Sequence, residues 1–132
     1  MKAVTADWLR SAQTDIETIE AILGNPSLTA VVAFHAQQCV EKCLKALLEE
    51  YDIDMGKTHN LLSLKTAVER KHFVDLDEDT LSLLNSLYIS SRYPGELGLL
   101  PTGAPGPEEA EAFAEFAEEA MRKVKKMLRN SA

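Results

Sequence analysis

The chain has 132 residues, of which 45% are hydrophobic, 27% are charged and 6% are aromatic, and its formal net charge is −7. This length suits one domain, residues 1–132, and is too short for two domains with separate cores. The negative charge argues against diffuse attraction to phosphate backbones, so any contact with nucleic acid must be local. The sequence lacks the run of roughly 18 uncharged apolar residues that a membrane-spanning helix needs, and it does not open with a signal-peptide pattern. We therefore expect a cytoplasmic protein that does not contact a membrane.

The first segment, about residues 5–23, has the pattern of an amphipathic helix. Its apolar side chains recur at steps of three and four residues, and acidic side chains take the outward positions. The inward set is Trp8, Ala12, Ile16, Ile19 and Leu23, and the outward set is Asp7, Asp15, Glu17 and Glu20. The run Gly24-Asn25-Pro26 should end this helix.

The second segment, about residues 28–51, is apolar around most of its circumference, which predicts the central helix of the fold. It leaves one polar helix face, which consists of Gln37, Gln38, Glu41, Lys42, Lys45 and Glu49. This face could be solvated, could form an internal hydrogen-bond network, or could be part of a dimer interface. Glu41 and Lys45 have the spacing of a stabilising pair within a helix.

Three further helices are predicted. The third begins near His59 or Asn60, with Asn60 as a plausible N-cap, and the fourth begins after Asp77 and ends before Pro94. The last begins at Pro107, which suits the first position of a helix. The predicted inward residues are Leu61, Leu64, Val68, Leu81, Leu84, Leu87, Tyr88, Ala110, Phe113, Ala117, Met121, Val124 and Leu128.

Residues 94–107 are too rich in proline and glycine for regular structure and predict one long loop before the last helix. The fold class is therefore all-α, an antiparallel up-and-down bundle of the four-helix type with about five helices.

Three stretches, taken in order, resemble the HEPN family of small helical-bundle proteins. Residues 33–48 read AFHAQQCVEKCLKALL, which is similar to the second-helix pattern of that family. Residues 57–61 read KTHNL, and residues 91–94 read SRYP. Trp8 and Asp15 precede them, and together the stretches cover most of the chain.

The resemblance implies a prokaryotic protein that dimerises through a helix face and is often encoded beside a minimal nucleotidyltransferase. Some relatives are metal-independent ribonucleases of toxin–antitoxin pairs, which use Arg, four to six variable residues, and then His. Arg92 matches that arginine, but Leu97, Gly98 and Leu99 stand where the histidine should fall. The ribonuclease motif is therefore incomplete, and no cofactor is implied.

Five residues are candidates for a ligand-binding patch. Cationic groups would meet phosphates, and Tyr93 would stack on a base. The five are Lys57, Thr58, His59, Arg92 and Tyr93. Arg92 and His59 could instead be a catalytic pair, with arginine binding a phosphate and histidine exchanging a proton. In the simpler interpretation, His59 caps the third helix while Arg92 and Tyr93 hold the loop.

Two other clusters favour structural roles. His35, Cys39 and Cys43 share one stripe, but a fourth ligand and the usual Cys-x-x-Cys spacing are missing, so buried thiols are expected rather than a metal site. The last helix ends in Arg122, Lys123, Lys125, Lys126 and Arg129. This basic end could contact RNA, although it also complements the helix dipole.

The leading hypothesis is a homodimer that binds nucleotide or RNA, or a cognate nucleotidyltransferase in a toxin–antitoxin type system, and is not itself an efficient nuclease. One alternative is an active or weak ribonuclease toxin that uses Arg92 and His59. Another is a purely structural protein-interaction module whose apolar helix face serves assembly.

Overall fold

A computed structural model describes residues 1–90 and 104–130 of the chain. Within these ranges it has five α-helices and no strand. The helices are α1 (Ala3–Ile22), α2 (Thr29–Glu50), α3 (Leu61–Val68), α4 (Glu78–Ser90) and α5 (Pro107–Asn130), and the short 3-10 helix Pro26–Leu28 joins α1 to α2. The predicted all-α bundle is confirmed. Most of the predicted loop 94–107 lies outside the described residues.

Helix α2 is the centre of the bundle, as its composition predicts. It packs against α1, α3, α4 and α5, and most of its apolar side chains are buried. Helix α5 covers it with the inward face expected from the sequence, because Ala110, Phe113, Ala117 and the apolar residues that follow at helical spacing are all buried. None of the described helices combines the length and apolarity needed to cross a membrane.

The helix ends follow from local chemistry. Asn60 caps α3, because its side-chain oxygen accepts hydrogen bonds from the backbone N–H groups of Leu62 and Ser63. Asp77 does the same for α4 through the N–H of Thr80. Helix α1 ends before Gly24, whose φ of +98° lies in the left-handed region that favours glycine.

Two predictions for α1 are wrong. Leu23 is 40% exposed because α1 ends at Ile22 and the backbone of Leu23 is extended, which removes it from the inner stripe. Asp15, predicted to face solvent, is buried, because it pairs with two side chains of α2. Trp8 is only partly buried and packs at the edge of the core.

Candidate functional site

The polar helix face of α2 forms an internal network rather than a solvated face. Gln37 is 0% exposed and Glu41 is 4% exposed, although both were candidates for solvent contact. Gln38 and Lys42 are partly buried beside them, and the amide of Gln38 donates to Oε1 of Gln37 at 2.7 Å. The burial of Gln37 and Glu41 and their hydrogen bonds favour the internal interpretation for the central residues of this face.

Glu41 is the hub of this network. Its carboxylate accepts hydrogen bonds from Gln37 Nε2 at 3.0 Å and from Lys45 Nζ at 2.9 Å, and His59 Nδ1 lies 3.1 Å from both oxygens. Burial raises the pKa of Glu41, but the hydrogen bonds from Lys45, Gln37 and His59 outweigh burial and hold that pKa below its ordinary value. Glu41 is therefore a carboxylate at neutral pH.

His59 is held at two points by α2. Its ring contacts Glu41, and its backbone carbonyl accepts a hydrogen bond from Gln37 Nε2 at 3.2 Å. A carboxylate can only accept, so Nδ1 carries the hydrogen and the other ring nitrogen, Nε2, is left for other partners. The side chain is 53% exposed, and its ring lies 5.2 Å from that of Tyr88. The expectation that His59 caps α3 is wrong, because Asn60 is the cap.

A second buried carboxylate joins α1 to α2. The side chain of Asp15 is 7% exposed and lies 2.9 Å from His35 Nδ1 and 2.8 Å from Lys42 Nζ. Both contacts cross from α2 to α1. Their geometry indicates a link between two helices.

Beside the Glu41 network lies a cleft of about 460 Å³, here called the Trp8 cleft. Its walls come from α1, the C-terminal half of α2, the loop 53–59 and the start of α3. The lining residues are Trp8, Lys45, Leu48, Glu49, Ile53, Asp54, Met55, Gly56, Lys57, Thr58, His59 and Leu64. The volume falls in the range of clefts that hold small molecules, roughly 300–1,000 Å³.

The Trp8 cleft offers both an aromatic face and charged groups. Lys45 Nζ lies 5.4 Å from the centroid of the Trp8 ring while it also bonds Glu41, so this ammonium is shared between the cleft and the network. Lys57 is exposed at the cleft, and Glu49 and Asp54 add two carboxylates. Such a surface can stack on a planar ring, contact an anion and accept hydrogen bonds from hydroxyl or amino groups.

The structure brings together three of the five predicted ligand-binding residues. Lys57, Thr58 and His59 all line the Trp8 cleft. Arg92 and Tyr93 lie outside the described residues. The sequence pattern places Trp8 in the core and does not connect it with residues 57–61, the KTHNL stretch. Its position as the sole tryptophan, at the edge of an otherwise aliphatic stripe, was the available signal.

Both cysteines are buried thiols, as expected. The Cys39 Sγ donates to the carbonyl of Ala117 at 3.9 Å, and the Cys43 Sγ lies 3.5 Å from the sulfur of Met121. A hydrogen bond with Cys43, together with burial, raises the pKa of the Cys39 thiol far above its ordinary value. His35 turns toward Asp15. Among the described residues, no three His, Cys, Asp or Glu side chains form a group suited to a metal ion.

The basic end of α5 is partly used within the fold. Lys123 Nζ bonds the backbone carbonyl of Asp75 at 2.6 Å and lies 3.0 Å from a carboxylate oxygen of Glu119. Arg122, Lys125, Lys126 and Arg129 are exposed. Their contact with RNA stays a prediction.

Comparisons with known proteins agree with this architecture. A family model described as the HEPN domain matches residues 5–127. The chain is also similar to a protein whose crystal structure is described as that of an archaeal HEPN homologue. The two share 26% sequence identity with a TM-score of 0.66, over 96% of this chain and 98% of the other. No protein with a curated description matches the chain.

Proposed function

The chain belongs to the HEPN family, and from that premise we propose that it binds a nucleotide, free or within RNA, in the Trp8 cleft. One observation carries the proposal: a partly buried tryptophan ring, two lysines, a hydroxyl and a histidine line one cleft of about 460 Å³. We take residues 1–132 as one binding domain.

Each part of a nucleotide has a counterpart in the cleft. The Trp8 ring provides a stacking surface for a base, which contributes about 1–3 kcal/mol per stacked base in single-strand binding proteins. Phosphate oxygens can accept hydrogen bonds from the side chains of Lys57, Lys45 and His59. Glu49 and Asp54 are suited to ribose hydroxyls or base amino groups, which donate hydrogen bonds to carboxylates.

The balance of charge predicts which ligand binds best. Two lysines face two carboxylates, so the cleft as a whole attracts a bare anion only weakly. A ligand that combines base, sugar and phosphate uses all of these groups at once. We therefore expect a nucleotide to bind more tightly than inorganic phosphate.

Trp8 is the only tryptophan, so its fluorescence reports occupancy directly. AMP, ATP and a short single-stranded oligoribonucleotide should each be titrated, with calorimetry in parallel. Lys57→Ala should weaken binding by several-fold, whereas Lys125→Ala, the same change on the exposed face of α5, should not. If none of the three ligands gives a saturable signal at millimolar concentration, a purely structural interaction module is the better interpretation.

We further propose the setting that the family resemblance implies. The protein would act as a cytoplasmic homodimer beside a nucleotidyltransferase, in a toxin–antitoxin type pair. Sedimentation at micromolar concentration should give the mass of a dimer, and a monomer throughout would contradict this. Co-purification with the nucleotidyltransferase of a neighbouring gene tests the partner.

A second candidate function is a metal-independent ribonuclease that uses His59 and Arg92. The observation that favours it is the bond from His59 Nδ1 to Glu41, which leaves Nε2 for proton transfer. Arg92 follows Tyr88, whose ring contacts His59, by four residues in the sequence. This function would be established if the wild type cleaves RNA and both His59→Ala and Arg92→Ala do not. Absence of RNA cleavage by the wild type would exclude it.

A further inference from the structure

Lys45 serves two sites at once. Its ammonium lies 2.9 Å from Glu41 Oε2, and the same group lines the Trp8 cleft 5.4 Å from the Trp8 ring centroid. A phosphate group in the cleft carries up to two negative charges and three acceptor oxygens. Such a ligand therefore competes with Glu41 for Lys45.

If Lys45 moves to the ligand, the buried carboxylate of Glu41 loses its cationic partner. Its side chain is 5% exposed, and a buried carboxylate without a cationic partner is strongly unfavourable. Its other partners are the neutral amide of Gln37 and the ring of His59. Of these two, only His59 can become a cation, so withdrawal of Lys45 favours protonated His59.

We propose that binding of a phosphate-bearing ligand in the Trp8 cleft is coupled to proton uptake by His59, with Lys45 as the shared group and Glu41 as the positioning residue. This inference rests on the proposed ligand class. The proton comes from solvent and adds to Nε2, the ring nitrogen that does not face Glu41. The resulting imidazolium donates from Nδ1 to Glu41 and can donate from Nε2 to the ligand. The Nε2–H bond forms as hydronium or a buffer acid gives up the proton and becomes water or the conjugate base, and no other covalent bond changes.

Other charged or titratable groups surround His59 without driving this change. Lys57 opposes the imidazolium, whereas Glu49 and Asp54 favour it, and Tyr88 of α4 contacts the ring. These groups are present with and without ligand. The ligand-dependent difference is therefore assigned to the position of Lys45 and to the phosphate charge itself. Because coupling is reciprocal, a lower pH should tighten phosphate binding.

The coupling can be tested without any ligand, because Lys45→Met imitates the departure of Lys45 from Glu41. The matched control is Lys42→Met, since Lys42 lies on the same helix, is also 20% exposed and pairs with Asp15 at a similar distance. The His59 ring should be followed by NMR over a pH series. The pH at which its signals titrate should rise by about 1 in Lys45→Met relative to the wild type. It should stay unchanged in Lys42→Met, and circular dichroism establishes that both variants are folded.

Calorimetry with AMP at pH 7.5 tests whether ligand binding itself is coupled to proton uptake. At that pH the phosphate of AMP has already lost its second proton, whose pKa is about 6. Repeating the titration in buffers with different ionisation enthalpies counts the protons that the complex takes up. The wild type should take up protons, and Glu41→Gln should take up fewer, because only the phosphate charge then favours the imidazolium.

The outcomes are distinguishable. An unchanged or lower titration of His59 in Lys45→Met overturns the coupling, whether or not a ligand binds. AMP that binds without proton uptake also overturns the coupling but leaves the proposed function intact. If neither AMP nor RNA binds while Lys45→Met behaves as expected, the proposed function fails and the link between Lys45, Glu41 and His59 stands.

Discussion

Replacing Glu41 with alanine should destabilise the fold by about 2–3 kcal/mol. The side chain is 5% exposed and accepts from Gln37, Lys45 and His59. Truncation leaves the buried amide of Gln37 with only the carbonyl of His59, whereas Lys45 (20% exposed) and His59 (53% exposed) can turn to water. The expected loss therefore lies below the roughly 3–5 kcal/mol of breaking a fully buried ion pair.

Glu41→Gln separates the charge of Glu41 from its packing. Although burial raises the pKa of Glu41, the bonds from Lys45, Gln37 and His59 lower it overall, so the folded protein binds this proton less readily than the unfolded chain. The stabilisation is complete above the unfolded value of about 4.3 and is lost as the pH falls through the lower, folded pKa. Urea unfolding should therefore give a steady difference between wild type and Glu41→Gln from about pH 6 to 8, and a shrinking difference below about pH 4.

The control for this series is Glu115→Gln, a change of the same charge on the exposed face of α5, which should alter the free energy of unfolding by less than about 0.5 kcal/mol. An equal effect of Glu41→Gln at pH 3 and pH 7 would refute the electrostatic argument. If Glu41→Ala lowers the free energy of unfolding by less than about 0.5 kcal/mol, the argument that the buried Glu41 network stabilises the fold is refuted.

Three further outcomes are expected. Asn60→Ala should lower stability by about 1 kcal/mol, measured by thermal melting, because two backbone N–H groups at the start of α3 lose their acceptor; no change would mean that another group caps the helix. Asp15→Ala should lower stability by about 2–3 kcal/mol, while Asp7→Ala, on the exposed side of α1, should cost less than about 0.5 kcal/mol; equal effects would contradict the buried position of Asp15. Cys39, whose pKa is raised by its hydrogen bond with Cys43 and by burial, should react with a thiol reagent only as fast as the protein unfolds; rapid reaction of the native protein would show that this thiol is accessible.

The helices could be predicted because their signals are local. The spacing of apolar residues in α2 and α5, the caps at Asn60 and Asp77, and the proline at position 107 each depend on residues within a few positions of one another. Asp15 was misplaced because periodicity gives the face of a helix but not its neighbour. That face meets Lys42 and His35, which lie 20 or more residues later in the chain.

The candidate site could be predicted only in part, for the same reason. Lys57, Thr58 and His59 stand in one short stretch, so they could be proposed together from the sequence. Their assembly with Trp8 and Lys45 depends on how α1 packs against α2 and on where the loop 53–59 crosses them. No local pattern encodes that packing.

The placement of α2 also bears on how the cleft could diversify among relatives. This helix contacts every other described helix, and three of its residues, Lys45, Leu48 and Glu49, also line the cleft. A substitution on α2 therefore alters core packing and ligand contacts together, and selection removes most such changes for loss of stability. In the loop 53–58, Asp54 and Lys57 are exposed and have no such dual role, whereas Ile53 and Met55 pack against the core. Ligand preference should accordingly change through substitutions of Asp54 and Lys57, and a mutant library confined to these two positions should retain the largest share of folded members.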